Sequence, residues 1–153
     1  MTEDLREQVS ELLASGELID VRFLSFSAAL REGEPLDEDS DEIDKDMQVM
    51  VGGSPGIIEI RVDFNVTTAE ADYAVVAATQ FHYDEDEFDV SEEVGKTFAE
   101  TVGVMAIFPY IREGLQSMSL RLRQEAITLP LLRNGQVVLT NPRPETDTDP
   151  DEE

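Results

Sequence analysis

The strongest constraint on the fold is a pair of alternating segments joined by a short turn. The first segment alternates charged or polar residues with apolar ones, which are Ile58, Ile60, Val62, Phe64 and Val66. From Tyr73 to Tyr83, apolar residues or threonine again occupy every second position. Because successive side chains of a strand point to opposite faces, these patterns predict two strands. The turn at residues 67–70 is short enough to make them antiparallel neighbours.

Two more strands are indicated closer to the N-terminus. Residues 17–30 carry apolar side chains on both alternating faces, which is typical of a strand covered on two sides. Met47, Val49 and Val51 alternate with Gln48 and Met50 before a turn rich in glycine. Between these strands, residues 31–46 hold nine acids against two bases and are predicted to form a loop.

Helices are predicted at both ends of this sheet. The spacing of Leu5, Val9 and Leu12 predicts an amphipathic helix over residues 3–15. After the fourth strand, Ser91 is a candidate N-cap for a helix that carries an apolar residue every four positions. Proline is tolerated best in a first helical turn, so Pro109 is predicted to begin a second helix.

The order of these elements predicts an α+β fold, in which a four-stranded antiparallel sheet is followed by C-terminal helices packed on it. We divide the chain into an N-terminal helix at 1–16, a main domain at 17–140 and a disordered acidic tail at 141–153. The length of 153 residues suits one folded unit of this kind.

Composition excludes several classes of partner and site. The chain has 35 acidic and 11 basic residues, a net charge of -24, which opposes binding to nucleic-acid phosphates. No apolar run approaches the ~18 residues that a membrane helix needs, so membrane insertion is not expected. The first residues are acidic where a signal peptide would be basic, and cysteine is absent, which together favour a cytoplasmic protein.

No catalytic, metal or cofactor site is predicted. Asp37, Asp39 and Asp41 fit the start of a calcium-binding loop, but Glu42 replaces the glycine that the bend requires and Gln48 the closing glutamate. His82, the single histidine, has no nucleophile or acid patterned around it. The glycine turn lacks the lysine of a phosphate-binding loop. A binding role is therefore favoured over an enzymatic one.

One motif resembles a known family. The stretch FPYIREGLQSM begins with Phe108, Pro109 and Tyr110, continues through Arg112 and Glu113, and is similar to the start of the long helix in the SecB family of protein-export chaperones. Ser25-Phe26 and Leu129-Pro130 match further segments of that family, and the order of strands, helices and acidic tail agrees. The resemblance covers roughly residues 17–140.

The resemblance implies a homotetramer, built as a dimer of dimers, that holds unfolded client proteins or preproteins in long apolar grooves without ATP. It also implies the SecA motor as a partner in export. The candidate groove comprises Leu36, Ile43, Met47, Val49 and Val51, with Leu131 and Leu132 opposite. The acids that help to dock SecA in the family are replaced in the segment Phe23–Ser27.

Three other interpretations stay open. SecB-like chaperones of some toxin-antitoxin systems hold an antitoxin, and this chain could have that role instead of export. An acidic interaction protein that mimics nucleic acid would also explain the charge. A small-molecule or metal-dependent enzyme on an α+β scaffold has only His82 in its favour.

Overall fold

A computed structural model describes residues 2–33 and 43–130. These residues form three α-helices and four β-strands. In chain order they are α1 (Glu3–Ser15), β1 (Glu17–Leu30), β2 (Asp44–Ser54), β3 (Ile57–Thr67), β4 (Ala71–His82), α2 (Glu92–Phe98), a π-helical turn (Ala99–Gly103) and α3 (Val104–Arg121).

The four strands form one antiparallel sheet in the order β1-β4-β3-β2. The predicted antiparallel pairing of β3 with β4 is confirmed. β2 pairs with β3 in a regular register, whereas the pairing of β1 with β4 has two irregularities, after Leu18 and after Phe23. Among the described residues, β1 and β2 are therefore the two edges of the sheet.

The core lies between one face of the sheet and the helices. The even-numbered residues of β3, from Ile58 to Val66, are buried on this inner face. Phe108 meets Phe64 edge to face at 6.2 Å between ring centroids, and Phe98 stacks on Phe81 at 4.6 Å. These aromatic pairs join α2 and α3 to the sheet, so the face of the sheet that they cover is the buried one.

The N-terminal helix shares this core. The Thr2 side chain accepts a hydrogen bond from the Leu5 amide and caps α1. Leu5, Val9 and Leu12 are buried in the same cluster as β3 and β4. The predicted helix over residues 3–15 is confirmed, while the division of the chain into three parts stays a prediction.

The prediction that Pro109 begins a separate helix is wrong. α2, the π-helical turn and α3 follow one another without a break, and Pro109 lies inside α3. Its ring is exposed, so the carbonyl that loses its amide partner can be hydrated. Ile107, Ile111 and Leu115 are fully buried beside it, and their packing outweighs the loss of one helical hydrogen bond.

Two other predictions need correction. β1 is not covered on two sides, because it pairs with β4 alone and nearly all its residues are exposed. Residues 44–46 are not part of a loop, because Asp44 already pairs with Thr67 and begins β2. Backbone pairing with β3 stabilises a strand here, although the acidic composition suggested a loop. Residues 34–42 lie outside the described part of the chain.

Candidate functional site

An open apolar cleft of about 740 Å³ lies at one end of the sheet. Its first wall is the hairpin of β2 and β3, including Val49, Val51 and Ile57. Its second wall is the connection from β4 to α2, which contributes Tyr83, Phe88 and Val90. The size of the cleft falls within the roughly 300–1,000 Å³ range of ligand pockets.

Local hydrogen bonds explain how the second wall is held. The Tyr83 amide donates to the Gly56 carbonyl at 3.0 Å, which ties the connection to the hairpin turn. The Phe88 amide donates to the Asp84 carbonyl at 3.0 Å and forms a turn that directs this segment back toward β2. Ser91 then accepts from the Val94 amide and begins α2 as predicted.

The hairpin turn requires glycine at two positions. Gly56 has φ of 81° and Gly53 has φ of 145°, both in the region that side chains disfavour. A Cβ on Gly53 would also lie 2.1 Å from the Ile57 carbonyl oxygen. The sequence Gly-Gly-Ser-Pro-Gly therefore closes the hairpin tightly and leaves the mouth of the cleft open beside Gly52, where a Cβ would meet nothing within 4 Å.

The cleft combines an apolar floor with a mainly acidic rim. Glu85, Asp89 and Glu92 line it together with one base, Lys96. Such a rim attracts basic segments and repels acidic ones, while the floor buries apolar side chains. The arrangement suits an extended polypeptide that carries apolar anchors between basic or neutral residues.

The structure describes four of the seven residues predicted to form the candidate groove. Met47, Val49 and Val51 lie on the inner face of β2, opposite Phe64, Val62 and Ile60 of β3. Val49 and Val51 line the cleft, whereas Ile43 is exposed just before β2. Leu36, Leu131 and Leu132 lie outside the described residues. The role of all seven residues in binding stays a prediction.

Sequence reasoning missed the second wall. Tyr83, Phe88 and Val90 lie in or beside an acidic run, which was interpreted only as a solvated segment. The available signal was the pair of apolar residues Phe88 and Val90, two positions apart and directly before the Ser91 cap. Apolar residues in an acidic run need a surface to contact. Here Phe88 and Val90 pack against the core cluster and face the hairpin across the cleft.

Nothing in the described residues groups into a catalytic or metal-binding centre. No three histidine, aspartate or glutamate side chains of this part could share a metal ion. His82 lies at the end of β4 between Glu17 and Ile57, and its Nε2 atom is buried without a hydrogen-bond partner. Neither observation supplies the paired base and nucleophile of an active site.

The residues of the helix motif have structural contacts. Phe108 is buried against Phe64, and the Arg112 guanidinium lies 5.6 Å from the Phe108 ring centroid. Arg112 also donates to the Pro130 carbonyl at 3.4 Å. This contact helps to hold residues 124–130 along α3, where Ile127 and Leu129 are buried. Tyr110 and Glu113 are exposed, as is Pro109.

A second apolar surface lies on β1 and the adjoining part of α3. Phe23 and Phe26 pack edge to face at 5.1 Å, yet each is about 40% exposed. Phe26 sits against Gly114 of α3, where a Cβ would come within 2.7 Å of its ring. The remaining large apolar side chains exposed on β1 are Leu18, Ile19, Leu24 and Leu30.

An acidic α+β subunit with an open apolar cleft and a separate exposed apolar strand has the features of a polypeptide-binding chaperone. SecB-like chaperone SmegB of Mycolicibacterium smegmatis is 32% identical to this chain over 136 residues, which cover 88% of this chain and 87% of SmegB. This chain therefore belongs to the SecB-like chaperone family, and the resemblance seen in its sequence is confirmed.

Two further comparisons agree. SecB-like chaperone Rv1957 of Mycobacterium tuberculosis is 26% identical, with 84% of each chain covered. A structure of Rv1957 in complex with a ChAD peptide from the Rv1956 HigA1 antitoxin has a TM-score of 0.70 and 25% identity, and covers 85% of this chain and 96% of that one. No protein-family model matches the chain. The predicted α+β fold with its four-stranded antiparallel sheet is confirmed.

The molecule is thus a SecB-like molecular chaperone. In residues 2–33 and 43–130, no helix is long and apolar enough to cross a membrane.

Proposed function

We propose that this chaperone is a holdase that keeps non-native polypeptide in the apolar cleft without nucleotide and without catalysing a reaction. The observation that carries the proposal is the cleft itself, with Val49 and Val51 on one wall and Phe88 and Val90 on the other. The absence of a phosphate-binding lysine from the Gly52–Gly56 turn supports an ATP-independent role.

Holding a client this way depends on many weak contacts. Complete burial of one large apolar side chain contributes about 1.5–3 kcal/mol, and part of that is offset by ordering the client. Several anchors on a long chain would then give useful affinity while single contacts stay exchangeable. The net charge of -24 opposes aggregation of the chaperone through an unoccupied cleft.

An antitoxin is the dedicated client that the comparisons support best. Rv1957 is in complex with a peptide from the HigA1 antitoxin, and this chain matches 96% of that structure. The outward face of β1 carries Arg22, Ser25 and Ser27, which pair with Ala78, Val76 and Ala74 of β4. At the two positions where the SecB family presents acids to SecA, this chain has Phe23 and Ser27, while Asp20 is the carboxylate that remains beside them on the outward face. We therefore favour an antitoxin over a role in preprotein export.

We further propose that the chaperone works as a homotetramer in the cytoplasm. The β1 surface supports assembly, because a single strand with both faces exposed and a free edge needs a partner to bury it. Cysteine is absent from the whole chain, which suits a reducing compartment.

The test of the holdase proposal is suppression of aggregation when a urea-denatured protein is diluted into buffer without nucleotide. We expect the wild type to suppress aggregation, and a Val51→Ser, Phe88→Ser variant to need about tenfold more protein for the same effect, because two anchors of the cleft are lost. Leu13→Ser is the matched control, since Leu13 is an exposed apolar residue of α1 that does not line the cleft.

Two outcomes would refute the proposal. Aggregation that proceeds unchanged with the wild type would exclude holdase activity. Equal suppression by the cleft variant and the Leu13 control, with both folded, would place the client elsewhere on the molecule.

A further inference from the structure

The geometry points to β-strand addition: we propose that the client binds as a fifth strand, hydrogen-bonded to the free edge of β2, and places alternate side chains in the cleft. This inference rests on the proposed holdase function and names the conformation and chemistry of its client. It begins from the hydrogen-bonding pattern of the sheet.

The register decides which backbone groups of β2 are free. The Thr68 amide donates to the Ala71 carbonyl at 2.9 Å, so this pair is hydrogen-bonded, and bonded pairs recur at every second position back along β3 and β4. The even-numbered residues of β3 therefore bond to β4, and its odd-numbered residues bond to β2. In β2, the partners of those odd-numbered residues are Asp46, Gln48, Met50 and Gly52.

The backbone N–H and C=O groups of Met47, Val49 and Val51 consequently point away from the sheet. Within the described ranges, no hydrogen bond to these groups is found. Unpaired strand edges are templates for another strand, and proteins usually protect them with charges, proline or bulges. β2 has a charged start at Asp44–Asp46, but its remaining residues from Met47 to Ser54 contain no charge, no proline and no irregularity in register.

The free backbone groups coincide with the cleft. Met47, Val49 and Val51 also direct their side chains to the inner face, and Val49 and Val51 line the cleft. A client residue paired with Val49 would exchange both backbone hydrogen bonds with it and point its side chain to the same face. Every second client residue would then reach the cleft, between β2 and the wall formed by Phe88 and Val90.

The other edge of the sheet is less suited to this role. The β1 ladder is interrupted after Leu18 and after Phe23, and such irregularities disrupt the pairing of an edge strand. The concavity beside β1, between Phe26 and Gly114 of α3, is also smaller than the cleft, at about 360 Å³. The client that fits β2 is therefore an extended segment with apolar residues at alternate positions, no proline among them, and basic flanks that complement Glu85, Asp89 and Glu92.

The test uses the full-length chaperone and a synthetic peptide with four Val-Thr repeats and a lysine at each end. We compare the unmodified peptide with two N-methylated forms as competitors for binding of a fluorescent unfolded protein. N-methylation of the valines removes the amides that face β2 when valine points into the cleft, and should weaken competition about tenfold or more. N-methylation of the threonines removes only the amides that face away from β2, and should change competition by less than about threefold.

A second measurement does not depend on the peptide design. Val51→Pro removes an amide that the β2–β3 ladder does not use, whereas Val51→Ala shortens the same side chain and keeps the amide. We expect the proline variant to bind unfolded protein at least about fivefold more weakly than the alanine variant, with the sheet intact by circular dichroism.

Equal competition by both methylated peptides, together with equal binding by the two Val51 variants, would overturn strand addition while leaving the holdase function standing. A change in molecular mass of the proline variant, with client binding unaffected, would instead show that the β2 edge pairs with a second copy of the chain. Failure of the wild type to bind unfolded protein at all would refute the holdase proposal itself.

Discussion

Arg123 has a backbone conformation that arginine disfavours. It has φ of 56°, the one positive value among the non-glycine residues in the described ranges. The Arg123 amide donates to Leu120 and the Gln124 amide to Ser119, the paired bonds of a Schellman motif that ends α3. Glycine is the usual residue at this position because it has no Cβ. The chain therefore stores strain here, directly before the segment that packs Ile127 and Leu129.

The substitution Arg123→Gly should raise the free energy of unfolding by ~0.5–1 kcal/mol, because relief of left-handed strain exceeds the extra entropy that glycine brings to the unfolded chain. Urea denaturation at one fixed protein concentration measures the effect. Arg121→Gly is the matched control, since it removes the same exposed charge from helical backbone and should lower stability by ~1 kcal/mol. Equal effects of the two changes would contradict the assigned helix end.

The helical segment from Glu92 to Arg121 shows how packing overrides local preference. It runs through a π-helical turn at Ala99–Gly103 and past Pro109 without ending. Gly103 lies so close to Ile60 that a Cβ would approach the Ile60 Cδ1 atom to 2.2 Å. The π-helical turn brings this glycine against the sheet, and the buried stripe of α3 then continues past an exposed proline.

Replacing Pro109 by alanine should raise stability, by up to ~3 kcal/mol, because alanine restores an amide to the helix interior. Gln116→Pro is the control at another exposed position of α3, and should lower stability by ~3 kcal/mol or more. Thermal unfolding of both variants is the measurement. A marked loss of stability in the alanine variant would mean that Pro109 is needed to begin a helix, as its sequence context suggests.

Elements with a local signal could be predicted from the sequence, and elements that depend on distant contacts could not. β3 shows its inner face in every second residue, and the Ser91 cap precedes its helix directly. The continuity of α3 through Pro109 depends instead on the sheet beneath it. The cleft needs the β4–α2 connection to fold back on β2, and residues at least 25 positions apart form its two walls.

The exposure of β1 bears on how the whole molecule assembles. Ile19 and Leu24, the residues at its two irregularities, are exposed although both are large and apolar. An apolar strand of this kind is stable in solution when a second subunit covers it. In the proposed assembly, the two apolar surfaces have different occupants, a partner subunit on the β1 surface and a client in the cleft.

We expect light scattering to show that the wild-type chaperone has a molecular mass four times that of one chain. Replacing Ile19 and Leu24 by serine should lower that mass at micromolar concentration, because the apolar area that a partner buries is reduced. Leu13→Ser on α1 removes an equally exposed apolar side chain away from β1 and should leave the mass unchanged. A stable monomer in the wild type would refute the assembly.

The most direct test of the client cleft is hydrogen–deuterium exchange of the chaperone with and without a saturating unfolded client, such as a reduced and carboxymethylated protein. We expect slower exchange in two stretches, residues 47–54 of β2 and residues 83–96 of the connection and α2, because bound client excludes water from both walls. The outer-facing positions of β3 and β4 should exchange as before. Protection confined to the β1 surface, with residues 47–54 and 83–96 unchanged, would contradict the account.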